Sequence, residues 1–80
     1  MNTYRTEFFA LCPVNKTRVH YHLKIETDQI ISVEELLEHL ATVCAEGFHE
    51  LMADYLYETF GGTQILVAYH HGVEIETARP

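Results

Sequence analysis

Ser32-Val33-Glu34-Glu35-Leu36-Leu37-Glu38-His39-Leu40-Ala41 is the stretch from which the rest of the chain can be read. Ser32-Val33-Glu34-Glu35 has the form of a capping box. The Ser32 hydroxyl accepts from the Glu35 amide, and the Glu35 carboxylate reaches back to the Ser32 amide. Ile31 and Leu36 flank it as a hydrophobic staple. Apolar Val33, Leu36, Leu37, Leu40, Ala41 and Cys44 then recur at i, i+3, i+4, i+7, i+8 and i+11, one stripe of an amphipathic helix. Glu34, Glu35, Glu38 and His39 fall on its wet side.

Ala45-Glu46-Gly47 interrupts the pattern, and Gly47 either ends one helix or bends a longer one. A second stripe follows in Phe48, Leu51, Met52, Tyr55, Leu56, Thr59 and Phe60, stopped by Gly61-Gly62. The flanks change period from helical to two. Arg18 to Glu26 puts Val19, Tyr21, Leu23 and Ile25 on one face and His20, His22, Lys24 and Glu26 on the other. Thr63 to His70 is more apolar and suits a central strand. His70-His71-Gly72 leaves room for a tight hairpin into Val73 to Thr77. Thr3 to Leu11 supplies a first strand, ending at Cys12-Pro13 and turning through Pro13 to Thr17. The order is ββααββ, an α+β fold: a four-stranded antiparallel sheet with two helices on one face, one domain over residues 1–80. The other face carries His20, His22, Lys24, Glu26, Glu74 and Glu76, and is either wet or the inner wall of an assembly.

Composition narrows the function classes. The chain has 80 residues, with 5 basic and 12 acidic side chains and a net charge of −7. Such acidity argues against a protein that tracks nucleic-acid phosphates. No run of 18 apolar residues exists to cross a bilayer, and Arg5 and Glu7 interrupt any apolar leader. A cytoplasmic setting and reduced Cys12 and Cys44 are expected. A domain this small buries little surface, so self-association into a homo-oligomer is the expected supplement.

Three segments together resemble the tunnelling-fold (T-fold) superfamily, and within it the 7-cyano-7-deazaguanine reductases. Leu11-Cys12-Pro13-Val14 resembles that family's Cys-Pro nucleophile turn. Glu35-Leu36-Leu37-Glu38 followed by Phe48-His49-Glu50 resembles its helix and Phe-His-Glu motif. Leu66-Val67-Ala68 through Gly72-Val73-Glu74-Ile75 resembles its closing hairpin. The resemblance implies ββαα(ββ) units that assemble into barrels, with sites for purine- or pterin-like rings between subunits. It implies Cys12 as the nucleophile that attacks a nitrile to form a thioimide. It also implies Glu50 as the carboxylate that holds the ring, with His49 beside it. A thiolate suits an electrophilic carbon, and a carboxylate accepts paired N–H bonds from a guanine-like edge.

Two departures put the reductase step in question. Val19 stands where the family has a proton-donating aspartate, seven residues after the cysteine. The lysine-bearing segment for NADPH has no counterpart, since Thr27-Asp28-Gln29-Ile30-Ile31 holds no Lys or Arg. Plainer readings compete at each position. Cys12 also suits a strand end as a small apolar group. Glu50 suits the first turn of a helix without any ligand. Phe48 and Cys44 are placed in the core.

His20 and His22 share a strand face and are the candidates for a metal pair, as in the zinc-dependent pterin-type branch of the superfamily. Cys12, His70 or His71 would have to complete the set. An open polar strand face explains the same pair, so no metal is expected. His70 and His71 read as solvated turn residues. Glu74 and Glu76 read as wet, or as inter-subunit ion-pair partners for Lys24 and Arg18. The leading expectation is an oligomer that binds a 7-deazaguanine- or pterin-class ring, with or without a covalent cysteine step. The alternatives are a non-catalytic assembly module and a zinc-dependent pterin-type enzyme.

Overall fold

The computed structural model describes all 80 residues. β1 (Asn2–Leu11) and β2 (Arg18–Thr27) form a long hairpin. α1 (Val33–Ala41), a short 3-10 turn (Val43–Ala45) and α2 (His49–Phe60) follow, then β3 (Thr63–His70) and β4 (Val73–Arg79). The four strands make one antiparallel sheet in the order β1-β2-β3-β4, which confirms the ββααββ reading and leaves β1 and β4 as its edges.

The strand alternation sets the core. Val19, Tyr21, Leu23 and Ile25 of β2 are buried on the helix side. Phe8, Ala10, Leu66 and Ala68 join them from β1 and β3, and Leu36, Leu40, Cys44, Met52, Ala53 and Leu56 close over them from the helical layer. A fully buried aliphatic side chain contributes about 1.5–3 kcal/mol through lost apolar surface. Ile25 and Leu56 reach that limit, at 0% exposure each. Polar ties align the helices with the sheet. Gln64 donates from Nε2 to the carbonyls of Leu56 (3.0 Å) and Gly61 (2.8 Å), anchoring the end of α2 to the start of β3. The Tyr4 hydroxyl accepts from the Ile31 amide at 3.1 Å. Arg79 reaches Asp54 of α2 at 2.8 Å.

Several local expectations change. The Ser32 hydroxyl does accept from the Glu35 amide, at 3.2 Å, and Ser32 also contacts Glu34. The helix-one stripe is narrower than its spacing suggests: Leu36 and Leu40 are buried, but Val33 and Leu37 are 53% and 50% exposed. α1 stops at Ala41, where the Thr42 hydroxyl bonds back to the Glu38 carbonyl at 2.7 Å, so the first helix has already ended before Gly47 and the second starts after it, at His49. Cys44 is buried, but in the 3-10 turn. Phe48 is not core: it precedes α2 at 51% exposure, and Leu51 follows at 64%. His39 is half-buried against Tyr55 and Phe60 rather than wet. Within the chain, Lys24 pairs with Glu26, Arg18 lies over the Phe9 ring, and Glu74 accepts from Tyr69.

Two glycines separate strain from crowding. Gly62 has φ +72, and a Cβ there would stand 2.5 Å from the Glu26 carbonyl oxygen; Gly72, in the β3–β4 turn, has φ +83 with nothing within 4 Å. Gly72→Ala is expected to cost about 1–2 kcal/mol from the left-handed backbone alone. Gly62→Ala adds a clash with backbone and is expected to cost more, as measured by the urea midpoints of the two variants.

Candidate functional site

The hairpin turn after β1 fixes Cys12 by its backbone. The Cys12 amide donates to the Thr17 carbonyl and its own carbonyl accepts from Lys16, both at 2.8 Å. Lys16 takes a left-handed φ of 60 to close that turn. Its ammonium pairs with Glu46. The segment between the helices then docks beside it. Leu11 and Glu46 form an isolated parallel bridge, and the Gly47 amide donates to the Leu11 carbonyl at 3.2 Å. This brings Phe48 and His49 to Cys12, although they lie far from it in sequence.

A cleft of about 180 Å³ results, with Cys12, Val19, Tyr21, His49, His70 and Ile75 among its walls. Tyr21 stacks on Phe8 at 5.0 Å and lies 5.3 Å from the His49 ring. Burial raises the Tyr21 hydroxyl above its ordinary 10.0, with Cys12 and Cys44 adding to the shift, so it stays a neutral wall. Burial also pushes the Cys44 thiol up to about 11, which leaves it an inert packing group. Both cysteines are free, and only Cys12 faces the cleft.

The two histidines of the cleft are differently prepared. His49 Nε2 lies 3.1 Å from the Leu66 carbonyl oxygen. A carbonyl only accepts, so the proton sits on Nε2 and Nδ1 keeps a free lone pair. That Nδ1 is buried without a partner. Burial holds the His49 imidazole below its ordinary 6.5, against the opposing effects of the Leu66 carbonyl and Glu50. His70 also lines the cleft, and its Nε2 is buried without a partner. A hydrogen bond of 3.3 Å between Asn15 and His71 ties the Cys12 turn to the β3–β4 turn and keeps His70 at this end of the sheet. Expecting His70 to be a solvated turn residue is therefore a correction. The signal was its phase: Leu66, Ala68 and His70 alternate onto the same face. Two residues beyond the Tyr21–Ala68 pair on each strand stand Val19 and His70, and both line the cleft.

The remaining candidates lie elsewhere. Glu50, in the first turn of α2, is exposed. It lines a shallow neighbouring surface that shares Phe48, His49 and Ile75 with the cleft, and does not face Cys12 directly. His20 and His22 occupy the opposite face of the sheet. Their near neighbour there is Glu7 of β1; Cys12 and His70 are on the cleft side, and His71 lies beyond the end of β3. No helix is long and apolar enough to cross a membrane.

The depressed His49 fixes a pH dependence. Unfolded His49 takes up a proton near pH 6.5, whereas the folded state resists it. The stability from the neutral ring is present above that pH and is lost as pH falls below it. Between about pH 7 and pH 5.5, wild type is expected to lose more urea stability than His49→Gln does.

No protein-family profile and no curated protein matches the chain. The solved structure of the archaeosine synthase QueF-Like, in its apo form, is similar over 98% of this chain and 89% of that one, at 20% sequence identity and a TM-score of 0.73. At that identity the likeness concerns the fold alone: the ββααββ sheet and helical layer described above are shared with that structure.

Proposed function

We propose that this chain binds a planar ring of the 7-deazaguanine or pterin class in the Cys12 cleft, with Cys12 as a covalent nucleophile. The observation that carries the reading is the meeting of Cys12 with two partnerless imidazole nitrogens in one cleft. The fold it shares with an archaeosine synthase supports it. The attacking species is a thiolate, and a neutral imidazole is the side chain suited to take its proton near neutral pH. Against a nitrile, the step is an addition. The S–C bond forms as one C–N π bond opens, and the thiol proton ends on the nitrile nitrogen. Nothing leaves and no reductant is consumed. His49 Nδ1 and His70 Nε2 are the groups assigned to move that proton. NADPH-dependent reduction is outside the proposal, because Val19 and the Thr27 to Ile31 segment lack the residues it would use.

The size of the cleft argues for a second copy. About 180 Å³ is below the roughly 300–1,000 Å³ of ordinary ligand sites. Glu50 opens onto the adjoining surface, where a neighbouring subunit would complete the walls and let its carboxylate grip the ring. The unpaired edges of β1 and β4 are the places for such a copy to pair. A cytoplasmic homo-oligomer follows from this reading.

Incubation with 7-cyano-7-deazaguanine and intact-mass measurement test it. The expected result is a gain equal to the whole nitrile on Cys12, absent in Cys12→Ala and at least tenfold slower in His70→Gln. No adduct, together with equal ring binding by wild type and Glu50→Ala in native mass spectrometry, would sink the reading. The exposed Val43, Phe48 and Leu51 favour a second reading, a non-catalytic assembly module. It predicts oligomers indifferent to Cys12→Ala and to the nitrile.

A further inference from the structure

We propose that Glu7, His20 and His22 form a divalent transition-metal site on the open face of the sheet, with zinc as its ion. The three residues come from two adjacent strands whose register pairs Glu7 with His22 and Phe9 with His20. All three side chains therefore leave the sheet on the same side. His20 Nε2 lies 2.8 Å from Glu7 Oε1, and His22 Nδ1 lies 3.7 Å from the same oxygen. The three donor atoms all fall within 4.8 Å of one another. Zinc bonds to imidazole nitrogen and carboxylate oxygen are about 2.0–2.2 Å long, which puts neighbouring donors of a tetrahedral ion roughly 3.3–3.5 Å apart. The two measured separations straddle that value, so small χ rotations bring the donors onto one ion without moving the strands.

The chemistry of the set selects the ion class. Two imidazoles and one carboxylate suit zinc and its neighbours rather than calcium or magnesium, which take oxygen donors. Three protein ligands leave a fourth position for water or an external ligand, as in catalytic zinc centres. The surroundings also hold the donors in place. The His20 ring stacks on Phe9 at 4.5 Å and an interplanar angle of 16°, and lies 4.6 Å from the His22 ring. Nearby cations are partly engaged: Lys24 lies 3.5 Å from Glu26, and Arg18 lies 3.8 Å over the Phe9 ring. Arg5, next along the face and paired in register with Lys24, is the charge that opposes a cation. It acts across screening solvent.

The site is separate from the Cys12 cleft, which lies on the other side of the sheet, and it does not rest on the ring-binding proposal. Its third ligand is Glu7 rather than Cys12, His70 or His71, the candidates named from the sequence.

Titration calorimetry of the full-length untagged chain with zinc chloride tests the assignment. One zinc per chain is expected. Affinity should fall at least tenfold in Glu7→Gln and in His22→Gln, with circular dichroism unchanged, and should hold in His71→Ala and Cys12→Ala. Cobalt(II) in place of zinc should give visible d–d bands without a thiolate charge-transfer band. Absence of stoichiometric binding would overturn the site. So would binding that survives Glu7→Gln and His22→Gln, or binding that His71→Ala or Cys12→Ala weakens, which would move the ion to the turn histidines or the thiol.

Discussion

β2 is hydrogen-bonded on both sides, and its strict alternation is the constraint on which the molecule depends. Val19, Tyr21, Leu23 and Ile25 enter the core, while His20, His22 and Lys24 face the other way. A slip of one residue would exchange the two sets. The core would then receive imidazoles and an ammonium, and the open face would receive four large apolar groups. Burying such groups unpaired costs several kcal/mol each, so the register is held by energy rather than by the turns alone. Two chemistries follow from this one alternation. Val19 and Tyr21 wall the Cys12 cleft, and the even-numbered histidines meet Glu7.

The second organising contact is small. The Gly47 amide on the Leu11 carbonyl, with the Leu11–Glu46 bridge, docks the interhelical segment onto the end of β1. Without that dock, His49 would start α2 at some other distance from Cys12. Its Nε2 would then have no reason to meet the Leu66 carbonyl. The dock also explains why α1 and α2 are separate. A continuous helix through Thr42 to Gly47 has its own amides bonded four residues back and none to offer to Leu11. The break is thus what lets the helical layer contribute side chains to the sheet end.

Much of this was legible from the residues. The period-2 run of β2, the Ser32 cap and the Gly61-Gly62 stop give the elements, and Cys12, His49 and Glu50 are singled out by the family resemblance, of which Cys12 and His49 share the cleft and Glu50 lies on the adjoining surface. What escaped was set by partners that no local pattern reports. Val33, Leu37, Phe48 and Leu51 all fit helical stripes, yet stay half or more exposed because no other part of the chain covers them. His39 reads as wet until Tyr55 and Phe60 of the other helix close on it. His70 looks like a turn residue when the hairpin is read outward from Gly72, and like a core-facing residue when β3 is read inward from Leu66. The structure favours the second, because the sheet ladder runs to His70. Glu7 carries no signal of its own. Its position beside His22 exists only once β1 and β2 are paired.

Val19 gives the cleft its character on the proposed reading. An ionised acid there would be a ready charge partner for an imidazolium at His49 or His70. A buried isopropyl wall does the opposite: it lowers the local polarity and favours a neutral ring, in line with the depressed His49. Neutral imidazoles accept protons from a thiol and return them to a nearby nitrogen, which is all that addition to a nitrile requires. Reduction demands more, since hydride delivery to carbon must be matched by an acid that protonates nitrogen as it becomes an amine. On that reading, a cleft with a neutral His49 and an apolar wall is matched to forming the thioimide. Carrying it onward would need a second reactant entering from the open side, beside Glu50.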